Sequence, residues 1–291
     1  MPSLYMATSL ADAVAALAAR GPSAAPMAGA TWIMRSGLRD EAHRPSYVAL
    51  SQIAELSEVA VDADAVSIGA CVTHARLASA LADAPGGVPF DLQVLAQAAA
   101  GAANPQVRAV ATVGGNLNAI GFAAADLVPA LLCLDASVEI ARPDGSESMK
   151  LDRFLAARED LSPGSLVARI RVPRSAGSGR SWRSAHARLP LRVAGDYPAA
   201  IVSLAVALDE AGAIAEARVA VGAVENVARR WPELEARLTG GSPDPEAAAA
   251  AAKELRHGFT ARDGVEAPGS YRLQVLPALV RRAMAALGTG R

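Results

Sequence analysis

Cysteine is scarce in this sequence, and its scarcity excludes several kinds of metal centre. The chain has two cysteines, Cys71 and Cys133, each within an apolar stretch, and it has no CxxC pair. Structural zinc sites and iron–sulfur clusters need several closely spaced thiolates, so neither is expected on this chain alone. Both thiols are predicted to be buried small hydrophobes, and such sparing use of cysteine is typical of a reducing compartment.

A charge excess and long apolar runs are also missing. Lys+Arg number 28 and Asp+Glu 29, and this net charge of -1 offers no footprint for nucleic acid or an anionic membrane. No uncharged apolar run reaches the roughly 18 residues that indicate a transmembrane helix. The N-terminus has no basic segment before its apolar part, which Asp12 interrupts, so no signal peptide is predicted. We therefore expect a cytoplasmic protein with no membrane span and no nucleic-acid partner.

The usual glycine patterns of nucleotide-binding folds are absent as well. Neither GxGxxG nor GxxxxGK(S/T) occurs, which disfavours the doubly wound dinucleotide fold and P-loop chemistry. The four histidines include no i, i+4 pair, so no metal site is predicted. No nucleophile lies beside a candidate base, so no catalytic residue is assigned. Aromatic residues make up only 4% of a chain that is 52% hydrophobic, which predicts an aliphatic core.

The sequence does contain the periodicity of an α+β protein. Its opening predicts a small α/β lobe, with a helix over 9–20 that Ser9 caps and Gly21 ends. Two antiparallel strands are predicted from residue 58, with a turn at 62–64, and a glycine-containing turn is expected at 111–116. The other predicted strands are 25–28, 47–50, 137–140, 166–172, 182–189, 199–208 and 213–223, and the other predicted helices are 75–82, 92–103, 126–134, 230–238, 245–256 and 270–287.

A Gly- and Ser-rich segment at 175–181 predicts a linker between two domains. The first domain is expected to span residues 1–174, with lobes at about 1–57 and 58–174. The second is expected to span residues 182–291 and to combine an antiparallel sheet with helices that follow it.

Two segments indicate ligand chemistry. In the first, MAGATWIMRSG at 27–37, a predicted strand ends in small residues. Unobstructed backbone N–H groups in such a turn can form an anion-binding concavity suited to a diphosphate. Turns of this composition are more often structural, so the segment alone leaves both interpretations open.

The second segment runs from 107 to 131. Gly114 and Gly115 allow close backbone approach, Thr112 and Asn116 offer neutral hydrogen bonds, and Asp126 offers an acidic acceptor. This set suits a ligand with phosphates, hydroxyls and a flat ring. Asp126 fits equally well as an ordinary acid at a helix N-terminus.

In this order and spacing, the two segments resemble those of the FAD-binding medium subunits of molybdenum hydroxylases, the family of xanthine dehydrogenase and bacterial carbon monoxide dehydrogenase. The family's Ala-Gly-Gly-Thr-Asp-Leu-like turn corresponds to AGATWI at 28–33. Its (Ile/Val)-Arg and Thr-(Ile/Val)-Gly-Gly-Asn fingerprint corresponds to VR at 107–108 and TVGGN at 112–116, with DLVP following at 126–129. Shorter similarities at 68–74, 161–173 and 270–272 extend the resemblance over nearly the whole chain.

The resemblance implies a two-lobed PCMH-type (vanillyl-alcohol-oxidase-like) FAD-binding domain, followed by the C-terminal α+β domain. It implies that the chain holds FAD noncovalently and passes electrons from the 2Fe-2S clusters of a small partner subunit to an external acceptor. A large partner subunit with a molybdenum–pterin cofactor would hydroxylate the substrate. The expected assembly is a heterotrimer or a dimer of heterotrimers.

The resemblance also implies a set of cofactor-binding residues. A positive charge at Arg188 would stabilise reduced, anionic flavin, although an exposed strand arginine explains this residue equally well. His74 either lies near the flavin or caps a helix. The implied set is Ala28, Gly29, Ala30, Thr31, Trp32 and Ile33, then Thr112, Gly114, Gly115 and Asn116, and finally Asp126, Val167 and Arg188.

The chain departs from the family pattern at three places. Ala30 replaces the second glycine of the first turn, which is tolerable only if its φ is negative. Trp32 replaces a polar residue and either shields or stacks near the flavin or packs in the core, and we favour core packing. The stretch from Asn116 to Asp126 is one residue longer than in the family, which weakens the assignment of Asp126 to the ribityl side of the flavin. Two other functions stay open, a stand-alone flavin-dependent oxidoreductase and a structural subunit that has lost its flavin.

Overall fold

The computed structural model describes residues 2–84, 86–174, 180–191 and 196–287 and confirms the α+β class. The chain divides into two compact units, each assembled from separate stretches of sequence. The first unit comprises Met1–Leu77, Pro105–Ile120 and Ala136–Val172, and the second comprises Ala78–Asn104, Gly121–Asp135 and Pro173–Arg291. Most of the predicted linker, residues 175–179, lies outside the described residues.

The small α/β lobe of the first unit forms as predicted. Strand β1 (Ser3–Met6), helix α1 (Leu10–Arg20), strand β2 (Ala24–Met27) and strand β3 (Ser46–Ala49) give a parallel sheet in the order β1-β3-β2. The Ser9 side chain accepts a hydrogen bond from the Asp12 N–H and caps α1. Gly21, with φ 58°, ends the helix, because glycine adopts this conformation without strain.

A five-stranded sheet in the order β4-β5-β8-β6-β7 completes the first unit. The segment PDG at 143–145, which reads as a hairpin turn in the sequence, joins β6 to β7. Strand β7 is missing from the sequence-based prediction, because it is polar and mostly exposed and pairs with β6 through the backbone. The turn predicted at 111–116 is wrong in part, since helix α5 begins within it. Over this stretch of the chain the elements are β4 (Val59–Val61), β5 (Ala65–Gly69), α2 (His74–Ala82), α3 (Gln93–Gly101), α4 (Pro105–Arg108), α5 (Val113–Asn118), α6 (Leu127–Cys133), β6 (Ser137–Arg142), β7 (Gly145–Lys150), α7 (Leu151–Ala157) and β8 (Leu166–Pro173). Of these, α3, α6 and the part of α2 after Leu77 belong to the second unit.

The second unit is built on an antiparallel sheet in the order β12-β11-β10-β9. Strand β10 is buried along almost its whole length, so both of its faces are covered. Arg230, predicted to begin a helix, instead pairs with β11 together with Arg229 as a short strand, and the helix starts after Trp231. The elements are β9 (Ser181–Pro190), β10 (Pro198–Leu208), β11 (Ile214–Gly222), β12 (Arg229–Arg230), α8 (Pro232–Leu238), α9 (Pro245–Leu255) and α10 (Gly269–Ala286).

The side chains of β10 alternate between two helical layers. Val202, Leu204 and Val206 join the core formed with α8, α9 and α10. On the other side α3 and α6 contact β10, and the Pro129 ring of α6 lies close to Gly222 of β11. No helix of the described residues is long and apolar enough to span a membrane.

Candidate functional site

The first predicted turn lies against the residues that lead into the second. A Cβ added at Gly29 would lie 1.8 Å from the Val110 carbonyl oxygen. Only glycine allows such an approach, so this residue is required by chain packing within the first unit. The two segments that the sequence linked by motif are therefore brought together by the fold.

Ala30 adopts a left-handed backbone conformation, with φ 55°. The sequence-based condition that its φ be negative is therefore wrong. A methyl group in this region costs roughly 1–2 kcal/mol, because the Cβ crowds the backbone. Within the described residues, the N–H groups of Gly29, Ala30 and Thr31 donate to no protein acceptor. Successive unengaged N–H groups around a left-handed residue favour an anion.

Trp32 is half-buried rather than part of the core, so its interpretation as core packing is wrong. It precedes a 3-10 helix over Ile33–Arg39, and its indole Nε1 donates to the Ile120 carbonyl at 3.1 Å. The Arg39 guanidinium lies 3.8 Å from the centroid of the indole ring and also donates to the Trp32 carbonyl. Trp32 thus connects the first turn to Ile120 in the second segment, and its ring forms a cation–π contact with Arg39.

The second motif opens a short helix. Thr112 caps α5, and its Oγ1 accepts a hydrogen bond from the Gly115 N–H at 3.1 Å. A Cβ at Gly114 would lie 2.7 Å from the Cβ of Ala70, so Gly114 serves internal packing. Gly115 is exposed, and a Cβ there would meet only the Thr112 hydroxyl, at 2.9 Å. Gly115, and not Gly114, therefore offers an open face to a ligand.

Four other predicted residues are placed in the first unit. Thr31 and Asn116 are half-buried, and Ile33 is the first residue of the 3-10 helix. Val167 lies in β8, where it pairs with Ile140 and its side chain is buried.

His74 is the first residue of α2, but the cap of that helix is Thr73, whose Oγ1 accepts from the Arg76 N–H. The His74 backbone N–H donates to the Ala111 carbonyl at 3.0 Å, and the side chain is buried. The His74 backbone therefore holds the start of the second motif through this hydrogen bond to Ala111.

Asp126 and Arg188, both in the second unit, form a buried ion pair. The Arg188 Nε donates to the Asp126 Oδ1 at 2.8 Å, and the two side chains are 12% and 5% exposed. The interpretation of Arg188 as an exposed strand arginine is therefore wrong. Asp126 does lie at the N-terminus of α6, as one of its two interpretations predicted, but its side chain does not cap the helix.

The sequence missed three further members of this buried cluster. The His186 Nε2 lies 3.5 Å from the Asp126 Oδ1, and its Nδ1 lies 2.9 Å from the Ser203 hydroxyl. The backbone N–H of His186 donates to the Gln97 Oε1 at 2.7 Å. One signal was readable: Ser203 interrupts the otherwise apolar strand β10. Its partners could not be found from sequence, because they come from separate elements.

Neither cysteine offers redox or metal chemistry. Both are buried and free, as the sequence predicts. Burial raises the pKa of the Cys71 thiol to about 11 and that of Cys133 to about 12, so both stay protonated at neutral pH. Across the described part of the chain, no three His, Cys, Asp or Glu side chains cluster to bind a metal ion.

Comparison with known protein families shows which family has these two motifs and this fold. Residues 2–175 match the family described as the FAD binding domain in molybdopterin dehydrogenase. The chain belongs to this FAD-binding family. Residues 186–287 match the CO dehydrogenase flavoprotein C-terminal domain, so the resemblance inferred from the two motifs is confirmed over nearly the whole chain. The protein is an FAD-binding subunit of the molybdenum hydroxylase type, and such subunits belong to oxidoreductase complexes.

Individual relatives agree with this assignment. The 6-hydroxypseudooxynicotine dehydrogenase complex subunit alpha of Paenarthrobacter nicotinovorans is 31% identical over 246 residues, covering 83% of this chain and 79% of that protein. The carbon monoxide dehydrogenase medium chain of Afipia carboxidovorans is 28% identical over 291 residues, covering 95% and 93%. Quinoline 2-oxidoreductase from Pseudomonas putida 86 superposes with a TM-score of 0.85 at 26% identity, covering 100% of this chain and 98% of the other.

The residues of the first turn fit the FAD of this family. A diphosphate needs hydrogen-bond donors in a concave backbone, and the unengaged N–H groups of Gly29, Ala30 and Thr31 supply them. The second motif contributes less, because the N–H groups of Gly114 and Gly115 donate to Ala70 and Thr112. Its exposed surface at Gly115 still allows a ligand to approach closely.

Proposed function

We propose that this FAD-binding subunit carries electrons and does not itself transform the substrate. It would hold FAD noncovalently and pass electrons from the 2Fe-2S clusters of a small partner subunit to an external acceptor. Substrate hydroxylation would take place at a molybdenum–pterin cofactor on a large partner subunit. The observation that carries the proposal is the first turn, where a left-handed Ala30 stands between two further unengaged N–H groups.

The proposed cofactor-binding set is the one inferred from the sequence. The backbone of Ala28–Ile33 would bind the diphosphate, and Thr112, Gly114, Gly115 and Asn116 would form the second contact. Gly114 would act by packing the loop against Ala70, whereas Gly115 would face the cofactor. Val167 and Arg188 complete the set, and Asp126 belongs to it through its ion pair with Arg188. The domain bounds of 1–174 and 182–291 are part of the same proposal.

The test is the composition of the native complex. The complex should be purified with this subunit tagged, and its FAD, molybdenum and iron measured per subunit, together with its absorption spectrum. We expect FAD at one per subunit that acid or heat releases, together with molybdenum and iron. FAD without metals or partners would favour a stand-alone flavoenzyme. Metals without FAD would favour a structural subunit that has lost its flavin.

A further inference from the structure

We infer that Asp126 is the buried counter-ion that positions Arg188 and limits the positive charge it presents to the cofactor, and that Asp126 is not itself a cofactor ligand. The inference rests on the proposed function, in which Arg188 lies on the flavin side. It changes the role of Asp126, which the resemblance had placed among the residues that contact FAD.

The arginine is held at two points and supported along its stem. Its Nε donates to the Asp126 Oδ1 at 2.8 Å, and its Nη2 donates to the Asp196 carbonyl at 2.8 Å. A Cβ at Gly101 of α3 would lie 3.6 Å from the Arg188 Cδ, so the stem runs beside that helix. A long side chain that is fixed in this way has lost most of its rotamer freedom, so its charge is held in one place.

His186 lies close to the same carboxylate oxygen as Arg188. The imidazole Nε2 lies 3.5 Å from the same Oδ1, and the Ser203 hydroxyl holds the opposite ring nitrogen at 2.9 Å. The His186 side chain is 2% exposed. The Asp126 carboxylate therefore lies close to two side chains of β9, both in the second unit. A buried carboxylate needs such partners, because its desolvation is otherwise very unfavourable.

This geometry has an electrostatic consequence. The Asp126 carboxylate and the Arg188 guanidinium have opposite charges and form a pair with no net charge. Replacing the carboxylate with an amide of the same shape would keep a hydrogen-bond acceptor for the arginine and leave its charge uncompensated. Removing the arginine charge instead would leave the carboxylate uncompensated. Because positive charge stabilises a cofactor that gains electrons, the two changes should move its midpoint potential in opposite directions.

The experiment is a double-mutant cycle in the native complex, read by FAD content and flavin midpoint potential. We expect Asp126→Asn to keep FAD and raise the potential, and Arg188→Gln to lower it. The double variant should return the potential towards wild type. Arg188→Lys keeps the charge and should stay closer to wild type than Arg188→Gln. Asp91→Asn is the matched control: Asp91 forms a comparable part-buried ion pair with Arg174 in the same unit, at 3.2 Å, and should leave the potential unchanged.

Several results would contradict the inference. Loss of FAD from Asp126→Asn, with the unfolding temperature of the flavin-free chain no lower than that of Asp91→Asn, would make Asp126 a direct ligand. Equal potentials in all variants, or shifts of the same sign, would also overturn it. A wild-type complex without flavin would overturn the proposed function, and this inference with it. If Asp126→Asn does not assemble, the comparison of Arg188→Gln with Arg188→Lys still tests whether the charge matters.

Discussion

Ala30 is a single residue whose backbone conformation the sequence could not anticipate. Its φ of 55° belongs to the left-handed region, where a Cβ is unfavourable. We predict that Ala30→Gly raises the free energy of unfolding by about 0.5–1 kcal/mol, since the relief of strain exceeds the entropy that glycine adds to the unfolded chain. Urea denaturation of the flavin-free chain measures the change.

The control for this substitution is Ala211, a turn residue that lies outside the left-handed region. Ala211→Gly should lower stability by about 0.4–1 kcal/mol, because only the entropy of the unfolded chain changes. If both substitutions lowered stability equally, the strain at Ala30 would be refuted.

The adjacent glycines of the second motif should respond differently to substitution. Gly115 is exposed, so we predict that Gly115→Leu leaves the chain folded but abolishes FAD retention by covering the loop and displacing the Thr112 hydroxyl. Gly114→Ala should instead destabilise the fold by about 1–3 kcal/mol, because its methyl group would overlap Ala70. The FAD-to-protein ratio and the unfolding temperature separate the two effects. A Gly115→Leu protein with one FAD per chain would refute the assignment of this loop.

At the scale of elements, Arg272 explains how α10 is fixed to the sheet of the second unit. Its side chain is fully buried, and its Nη1 donates to the carbonyls of Ala199 and Ala223 at 2.7 and 3.1 Å. Ala223 follows β11 in a left-handed conformation, with φ 64°. Burial lowers the pKa of Arg272, and the hydrogen bonds compensate for this desolvation. The Ser-Tyr-Arg similarity noted in the sequence thus has a structural role.

We predict that Arg272→Met destabilises the protein by about 2–3 kcal/mol, because two charged hydrogen bonds are lost. The Ala199 carbonyl loses its arginine donor, whereas the Ala223 carbonyl keeps the one from Arg262. Arg281, on the same helix, forms an exposed ion pair with Glu246 and serves as the control. Arg281→Met should change stability by less than about 0.5 kcal/mol. Thermal unfolding followed by circular dichroism measures both. If both substitutions changed the stability equally, the buried hydrogen bonds of Arg272 would add nothing to the stability of the fold.

Prediction of the elements succeeded where side-chain pattern and capping agreed. Helix α1 has an apolar face, a serine cap and a terminal glycine, and it was placed correctly. Strand β7 has no apolar alternation, so its pairing with β6 could not be read from side chains. The turn at 111–116 was only partly right, because the capping by Thr112 that starts α5 competes with the turn preference of the two glycines.

At the scale of the whole molecule, the chain is expected to depend on partners for substrate chemistry. The proposed function puts substrate hydroxylation on a large partner subunit. We predict that the isolated subunit, loaded with FAD, hydroxylates none of the substrates of the complex but transfers electrons slowly from an artificial donor to a dye. The reconstituted complex is the positive control. Hydroxylation by the metal-free single chain would refute the subunit assignment.

The native assembly should be a heterotrimer or a pair of heterotrimers. In the proposed function the flavin receives electrons from an iron–sulfur cluster on another subunit, so we expect its dimethylbenzene edge to point towards a protein interface. Native mass spectrometry gives the stoichiometry, and cross-linking locates the contacts. A stable monomer that binds flavin and no partner would contradict this prediction.

The sequence by itself determined the family, the two glycine motifs and most elements, because these depend on local periodicity, capping and residue spacing. Only the tertiary structure decided which glycines pack against the chain and which stay open to a ligand. Gly29 and Gly114 pack against Val110 and Ala70, whereas Gly115 is open. It also brought Asp126 against Arg188 and His186, residues far apart in the chain. A buried charge must find its partner across the fold, and no local pattern encodes which partner that is.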